Sequence, residues 1–205
     1  MTETTSGVRA VLSAARIYDG FQDLTGARGA RRRFADEYIR AVTGSRILDI
    51  GCGTGAILEY LPEVEYWGFD LSPAYIETAR KRYGARGTFS CRDVSQARLS
   101  ELPRVDLVLA LGVLHHLDDA GSLGLLHLAR ASLQAGGRLV TWDPCYVDGQ
   151  SVLRRLIIGM DRGRNVRDEG GYRSLCEAVF GSVEAHIRHD LLRIPYTHAI
   201  FECRA

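Results

Sequence analysis

The chain has 205 residues, 46% of them hydrophobic, and a formal net charge of +1. That length suits one domain with a core needing no covalent staples, and the near-neutral balance supplies no electrostatic case for a nucleic-acid or membrane partner. The five cysteines (Cys52, Cys91, Cys145, Cys176 and Cys203) are scattered and odd in number, so they form no compact disulfide framework, and no C-x-x-C pair suggests zinc or a redox centre.

Residues 1–8 read as frayed. Acid precedes the short apolar stretch that follows them, which is not the order of a secretory signal, and no run approaches membrane-spanning length. A cytoplasmic location is expected. From Val8 to Val42 the pattern is amphipathic and helical, in two pieces broken around Thr25–Gly29. "RILDI" (46–50) reads as a buried strand and "AILEYL" (56–61) as a helix ended near Pro62. "EYWGFD" (65–70) is a strand. "SPAYIETARKRYG" is a helix with Ser72 as N-cap, Pro73 in its first turn and Gly84 as its stop. Strands follow at 87–93 and 104–113, then a helix at 118–135 and a fifth strand at 137–144 after a Gly-Gly turn.

Five alternations of strand and helix predict an α/β fold, doubly wound, with a mostly parallel sheet and helices on both faces. The tail breaks the rhythm. A helix at 172–180 precedes two strands, 182–190 and 197–205, joined by a turn too short for a right-handed crossover, so one of them runs antiparallel. Residues 144–170 are too long for a plain connection.

The chemistry concentrates at "RILDIGCGTGAILEYL". A strand, the small residues "GCGTGA" and a helix satisfy the loose dinucleotide pattern, in which a bare backbone approaches a ligand at a helix N-terminus. Asp49 ends that strand, where a carboxylate would repel pyrophosphate but suits an ammonium group. Asp70 ends the second strand, where ribose hydroxyls meet a bidentate acceptor. Asp93 ends the third, placed for an adenine amino group, with the Val94 N–H for a ring nitrogen. Singly, each aspartate reads equally as an N-cap or a solvated loop residue. Together, at successive strand ends, they fit a ligand with an adenine, a ribose and a cationic amino-acid end, which is S-adenosyl-L-methionine. A nicotinamide oxidoreductase fits the glycines but not Asp49 or Asp93.

"ILDIGCGTG", "GFDLSPAYIETAR", "CRDV", "DLVLALGVLHHLDD" and "LQAGGRLV" resemble, in order and spacing, the motifs of class I S-adenosylmethionine-dependent methyltransferases over residues 46 to about 143. The resemblance implies a seven-stranded sheet with its last strand antiparallel. It also implies a single domain (1–205) built from an N-terminal helical cap (1–45), a cofactor-binding core (46–143), a lid insertion after strand five (144–170) and a C-terminal helix and hairpin (171–205). Asp49, Gly51 and Gly53 would then flank the methionine part of the cofactor, and Asp70 and Leu71 would hold the ribose. Asp93 and Val94 would hold the adenine, with the backbone at Leu111 and Gly112 under the sulfonium. Tyr18 matches an aromatic that covers the cofactor in small-molecule members, and equally an ordinary helix-packing tyrosine. S-adenosyl-L-homocysteine would be the product.

Methyl transfer to an oxygen needs a base, whereas an amine or enol-like carbon needs less help. His116 has the best address, just after the fourth strand, and one of the pair His115–His116 must point away. The same segment also serves loop structure in this family. Asp143 is a base or a loop anchor. Tyr146, Arg162, Arg193, Tyr196 and His198 are candidate acceptor contacts around the insertion and the last turn, and the arginines of "DRGRNVRDE" read either as lid contacts or as a solvated surface turn. The expected activity is methylation of a small-molecule acceptor of natural-product, sugar or quinone-like type. The alternative is an S-adenosylmethionine-binding protein of the same fold with non-methylating chemistry or a regulatory role. No metal, nucleic acid or membrane partner is expected, and monomer and homodimer are both compatible with the chain.

Overall fold

The computed structural model describes residues 26–93, 102–160 and 163–204. The apolar run Arg46–Ile50 forms β1, buried at four of its five positions, as a strand covered on both faces requires. β2 (Glu65–Asp70) and β4 (Val105–Leu111) flank it in parallel, and β3 (Thr88–Cys91) pairs with β2 so that Cys91 lies beside Asp70. β5 (Leu133–Pro144) lies parallel to β4. β7 (His198–Arg204) is inserted between β5 and β6 (Ser182–Arg188) and runs antiparallel to both. The seven strands are therefore ordered β3-β2-β1-β4-β5-β7-β6. The expected doubly wound sheet, with its last strand antiparallel, is what forms.

Helices cover both faces. α1 (Ala27–Phe34) continues into one wide turn, Ala35–Ile39, and α2 is Pro73–Tyr83. α3 (Asp119–Ser132), α4 (Val152–Gly159) and α5 (Glu169–Glu177) follow. Ile47, Leu107, Leu109 and Ile200 face α1 and α2, burying Phe34, Ile39 and Ile76 against them. Leu48, Val108, Leu139 and Phe201 face α3 and α5, burying Leu126, Tyr172 and Cys176. Burying a Leu, Ile or Phe contributes about 1.5–3 kcal/mol each, so the two layers hold the sheet without covalent help. All five cysteines are free thiols; Cys91 is exposed and the other four are buried.

Caps explain the boundaries. Ser72 accepts from the Tyr75 N–H at 3.4 Å, Asp118 from Gly121 at 2.8 Å, and Asp168 from Gly171 at 2.7 Å, each satisfying a helix donor that has no partner within its own helix. Three expectations need correction. Residues 56–61 make only a five-residue 3₁₀ turn, Ala56–Tyr60, because Leu61 precedes Pro62 and is driven to extended φ −101°, ψ 150°. β3 stops at Cys91, two residues short of Asp93. β5 begins at Leu133 rather than 137, because Leu133 pairs with Val105 and Arg138 with Leu107, and the Gly-Gly segment bulges between them. Among the described residues no helix is long and apolar enough to cross a membrane.

Candidate cofactor and acceptor site

The carboxyl ends of β1, β2 and β4 meet the glycine loop. Gly51, Gly53 and Gly55 have φ of 74°, 54° and 71°, a left-handed backbone that L side chains resist. A Cβ on Gly51 would lie 2.5 Å from Val113, whereas one on Gly53 would meet nothing within 4 Å, so Gly53 fronts open space. Asp70 braces this loop: one carboxylate oxygen accepts from the Gly53 N–H at 2.9 Å and the other from Ser72 at 2.8 Å. An ionised carboxylate has about four lone-pair sites, so both oxygens keep acceptor capacity for hydroxyl groups. Leu71 beside it is 70% exposed, and Asp93 is half-buried.

Asp49 is buried under the loop. The Tyr66 hydroxyl donates to one of its oxygens, and the other, Oδ1, is buried without a hydrogen-bond partner. Burial, partly offset by Tyr66 and reinforced by the Asp70 charge, pushes its carboxyl up to about 7. A buried acceptor without a donor is costly unless a ligand or water supplies one. The fit to a cationic amino-acid end rests on that atom.

At the β4 end the Gly112 N–H, from a residue with φ 71°, donates to the Trp142 carbonyl at 2.7 Å. His115 is buried and His116 exposed, yet their rings stay in contact with centroids 4.0 Å apart. Asp143 engages His115, accepting from its backbone N–H at 3.2 Å and lying 2.7 Å from its Nδ1, while the second Asp143 oxygen is buried without a partner. The sequence does not reveal this pairing, although parallel β4 and β5 bring their carboxyl ends together.

The insertion is latched onto the same loop. The Asn165 N–H donates to the His115 carbonyl at 2.9 Å, and a Cβ on Gly163 would fall 1.9 Å from the His115 ring. Arg167 donates to the carbonyls of Leu114, Leu117 and Asn165 at 2.9–3.1 Å and to Asp119. This arginine therefore fastens the segment instead of facing a ligand. Tyr146 is half-buried under the Arg155 guanidinium, 5.1 Å from its ring.

Alternation along β5 puts Trp142 on the sheet face opposite Asp143. Phe34 stacks on Trp142 at 4.5 Å, His198 meets it edge-on at 5.2 Å, and Tyr196 lies 4.8 Å from His198. The candidate acceptor residues are thus divided: Tyr196 and His198 lie on the α1 face with Trp142, and Asp143 with His115 on the α3 face. Arg193 is exposed in the β6–β7 turn. Tyr18, Val94 and Arg162 lie outside the described residues. Phe34 and Trp142 escaped the sequence reading because only the fold brings α1 to the end of β5.

Residues 48–139 match the family model of a methyltransferase domain. A malonyl-[acyl-carrier protein] O-methyltransferase of Acetivibrio thermocellus is 33% identical over 98 residues, 45% of this chain and 33% of that protein. The aklanonic acid methyltransferase DauC of a Streptomyces species is 36% identical over 121 residues, 53% of this chain and 52% of that protein. These matches span a third to about half the length of the relatives. Among solved structures, a TehB-like S-adenosylmethionine-dependent methyltransferase of Corynebacterium glutamicum superimposes with a TM-score of 0.67 at 20% identity, covering 96% of this chain and 99% of that one.

Proposed function

We propose that the chain is a class I S-adenosylmethionine-dependent methyltransferase, as the methyltransferase-domain match over residues 48–139 supports, and that it transfers a methyl group from S-adenosylmethionine to a small organic acceptor. The observation carrying this is the placement of Asp49 and Asp70 in the adjacent parallel strands β1 and β2, with Asp93 two residues past the end of β3, around a loop held open by left-handed glycines. Curated relatives include a malonyl-[acyl-carrier protein] O-methyltransferase and three ubiquinone biosynthesis O-methyltransferases. Those names support oxygen as the acceptor atom and leave natural-product and quinone-like acceptors both open.

When bound, the cofactor supplies a methyl group already activated on a sulfonium. The chain's part is to bind, orient and exclude water. In this reading Asp49 Oδ1 accepts from the ammonium beside Gly51 and Gly53. Asp70 takes the ribose hydroxyls while bracing Gly53, with Leu71 against the sugar. Asp93 and Val94 hold the adenine, and Tyr18 closes over it. Leu111 and Gly112 form the floor beneath the sulfonium, where the carbonyl of Trp142 fixes the backbone.

His115 and Asp143 act as a positioning pair, setting the loop that carries Gly112 and seating the insertion. His116, exposed on that loop, is the candidate base for an alcohol acceptor, whereas an ionised carboxylate needs none. Residues 144–170 serve as the lid, from which Val152, Leu153 and Leu156 present apolar side chains outward on α4, and Arg162 is a proposed acceptor contact. Tyr146, Arg193, Tyr196 and His198 border the acceptor.

Calorimetric titration of S-adenosylmethionine and S-adenosylhomocysteine, with Asp70→Ala alongside, tests the cofactor half. An acceptor screen by release of S-adenosylhomocysteine tests the reaction. No binding by the folded chain overturns the proposal. Binding without turnover on any acceptor favours the non-methylating or regulatory alternative.

A further inference from the structure

We propose that Glu184, His186 and Glu202 form a site for a divalent cation of the zinc type, which clamps the edge strand β6 to β7. The site is independent of the cofactor reading: its strands lie on the far side of β4 and β5 from those carrying Asp49 and Asp70. Strand register builds it. Glu184 pairs directly with Glu202 across the antiparallel β6–β7 ladder, and His186, two residues along β6, falls on the same sheet face. One possible ligand atom from each of the three side chains lies within 4.8 Å of the other two. A C-x-x-C pair is absent from the sequence, but that absence does not bear on a site assembled across two strands.

The spacing is that of metal ligands and not of hydrogen bonds. His186 Nε2 lies 3.4 Å from Oε1 of Glu184 and 3.7 Å from Oε1 of Glu202, and it is buried without a hydrogen-bond partner. A charged ring donating to a carboxylate closes to about 2.7–2.9 Å. Two ligand atoms that are each about 2.0–2.1 Å from a tetrahedral zinc stand about 3.4 Å apart. The Glu184–Glu202 edge can close to the same length because the Glu184 side chain is 64% exposed and able to turn. Like charges directly opposite on neighbouring strands repel, and a cation between these two carboxylates removes that cost.

Outer contacts orient two of the ligands. Glu202 is buried, and its Oε2 is engaged by Arg40 and, at 3.2 Å, by Arg138, which leaves Oε1 as the oxygen nearest His186. Arg138 is itself fixed by the carbonyls of Tyr38 and Ile39. The Tyr38 ring packs 5.1 Å from that of His186, and its hydroxyl accepts from Arg188 at 2.6 Å. Such second contacts set ligand direction and strengthen metal sites. The two carboxylates match the charge of a dication, and both arginines sit on the oxygen turned away from it. One imidazole nitrogen with two carboxylate oxygens suits zinc, whereas magnesium and calcium take oxygen ligands. A fourth position opens to solvent beside Glu184.

The test uses the full chain without an affinity tag, treated with a chelator and dialysed. It is titrated calorimetrically with zinc chloride and, as the hard-cation control, with magnesium chloride. Glu184→Gln alters an exposed side chain. His186→Phe keeps a ring against Tyr38 and removes the nitrogen, and Cys91→Ser removes the exposed thiol as a competing zinc ligand. The expected result is one zinc per chain, bound at least tenfold more weakly by Glu184→Gln and by His186→Phe and equally well by Cys91→Ser, with no comparable magnesium binding. Zinc should also slow amide hydrogen exchange along β6 in the unaltered chain and not in Glu184→Gln. No zinc binding, zinc affinity unchanged in either ligand variant, or magnesium bound as tightly as zinc overturns the proposal. Binding that is lost in Cys91→Ser overturns it as well.

Discussion

Replacing Asp49 by Asn should flatten the dependence of stability on pH. The carboxyl is buried and raised to about 7 in the folded chain, against about 3.9 for a carboxyl in an unfolded one. The folded state therefore holds the proton more tightly. The stabilisation this confers is complete below about pH 4 and is lost as pH rises through about 7. Three pH units at about 1.4 kcal/mol each set a scale of about 4 kcal/mol. Asn keeps the shape, carries no charge and retains the Tyr66 hydroxyl as a partner. In urea denaturation, the difference between the unaltered protein and Asp49→Asn should shift progressively in favour of Asn between about pH 4 and 8. A bound ammonium group reverses the preference, so S-adenosylhomocysteine should bind the unaltered protein more tightly at pH 8 than at pH 6, and Asp49→Asn should lose that trend. A stability difference independent of pH would refute the reasoning.

Asp70→Ala removes the acceptor for two backbone donors and, because the site is partly solvated, should cost about 1–3 kcal/mol in stability; calorimetry should also show at least a tenfold loss of S-adenosylhomocysteine affinity. Arg167→Lys cannot reach three carbonyls and Asp119 with one ammonium, so limited proteolysis should cut within 144–170 faster while the melting temperature of the sheet changes little. Gly163→Ala forces a methyl into the His115 ring, a clash of the kind that costs about 1–3 kcal/mol; a melting temperature equal to that of the unaltered protein would show that the segment is not seated there.

The elements most legible in the sequence are those where local chemistry and tertiary packing agree. β2 and α2 are found at their expected residues because a buried run, a serine cap and a first-turn proline leave little choice. The antiparallel hairpin follows from the shortness of its turn. The turn after the glycine loop reads as a helix because six residues of apolar periodicity do not separate a 3₁₀ turn from an α-helix, although Pro62 marks its end in the sequence. The β5 bulge was missed because "QAGG" looks like a turn whether or not a neighbouring strand captures its ends. In the site, the acids and glycines are adjacent to strand ends in the sequence itself, so their positions could be anticipated. The Asp143–His115 pair, the contacts of Arg167 with Leu114, Leu117 and Asp119, and the Arg33–Asp190 pair join residues 28 or more positions apart. No local spacing encodes such partners.

Cys91 has a practical consequence. Cys52, Cys145 and Cys203 are buried; burial pushes the thiols of Cys52 and Cys145 up, that of Cys145 to about 12, and a hydrogen bond with Cys176 together with burial raises that of Cys203; Cys176 is buried as well. Alkylating reagents attack the accessible thiolate, so a maleimide dye should attach at one position without any engineered cysteine. That position pairs in register with Asp70 and lies two residues before Asp93. A fluorophore there would sit beside the proposed nucleoside site, and its emission, or its protection from labelling, would give an optical readout of occupancy before any acceptor is known.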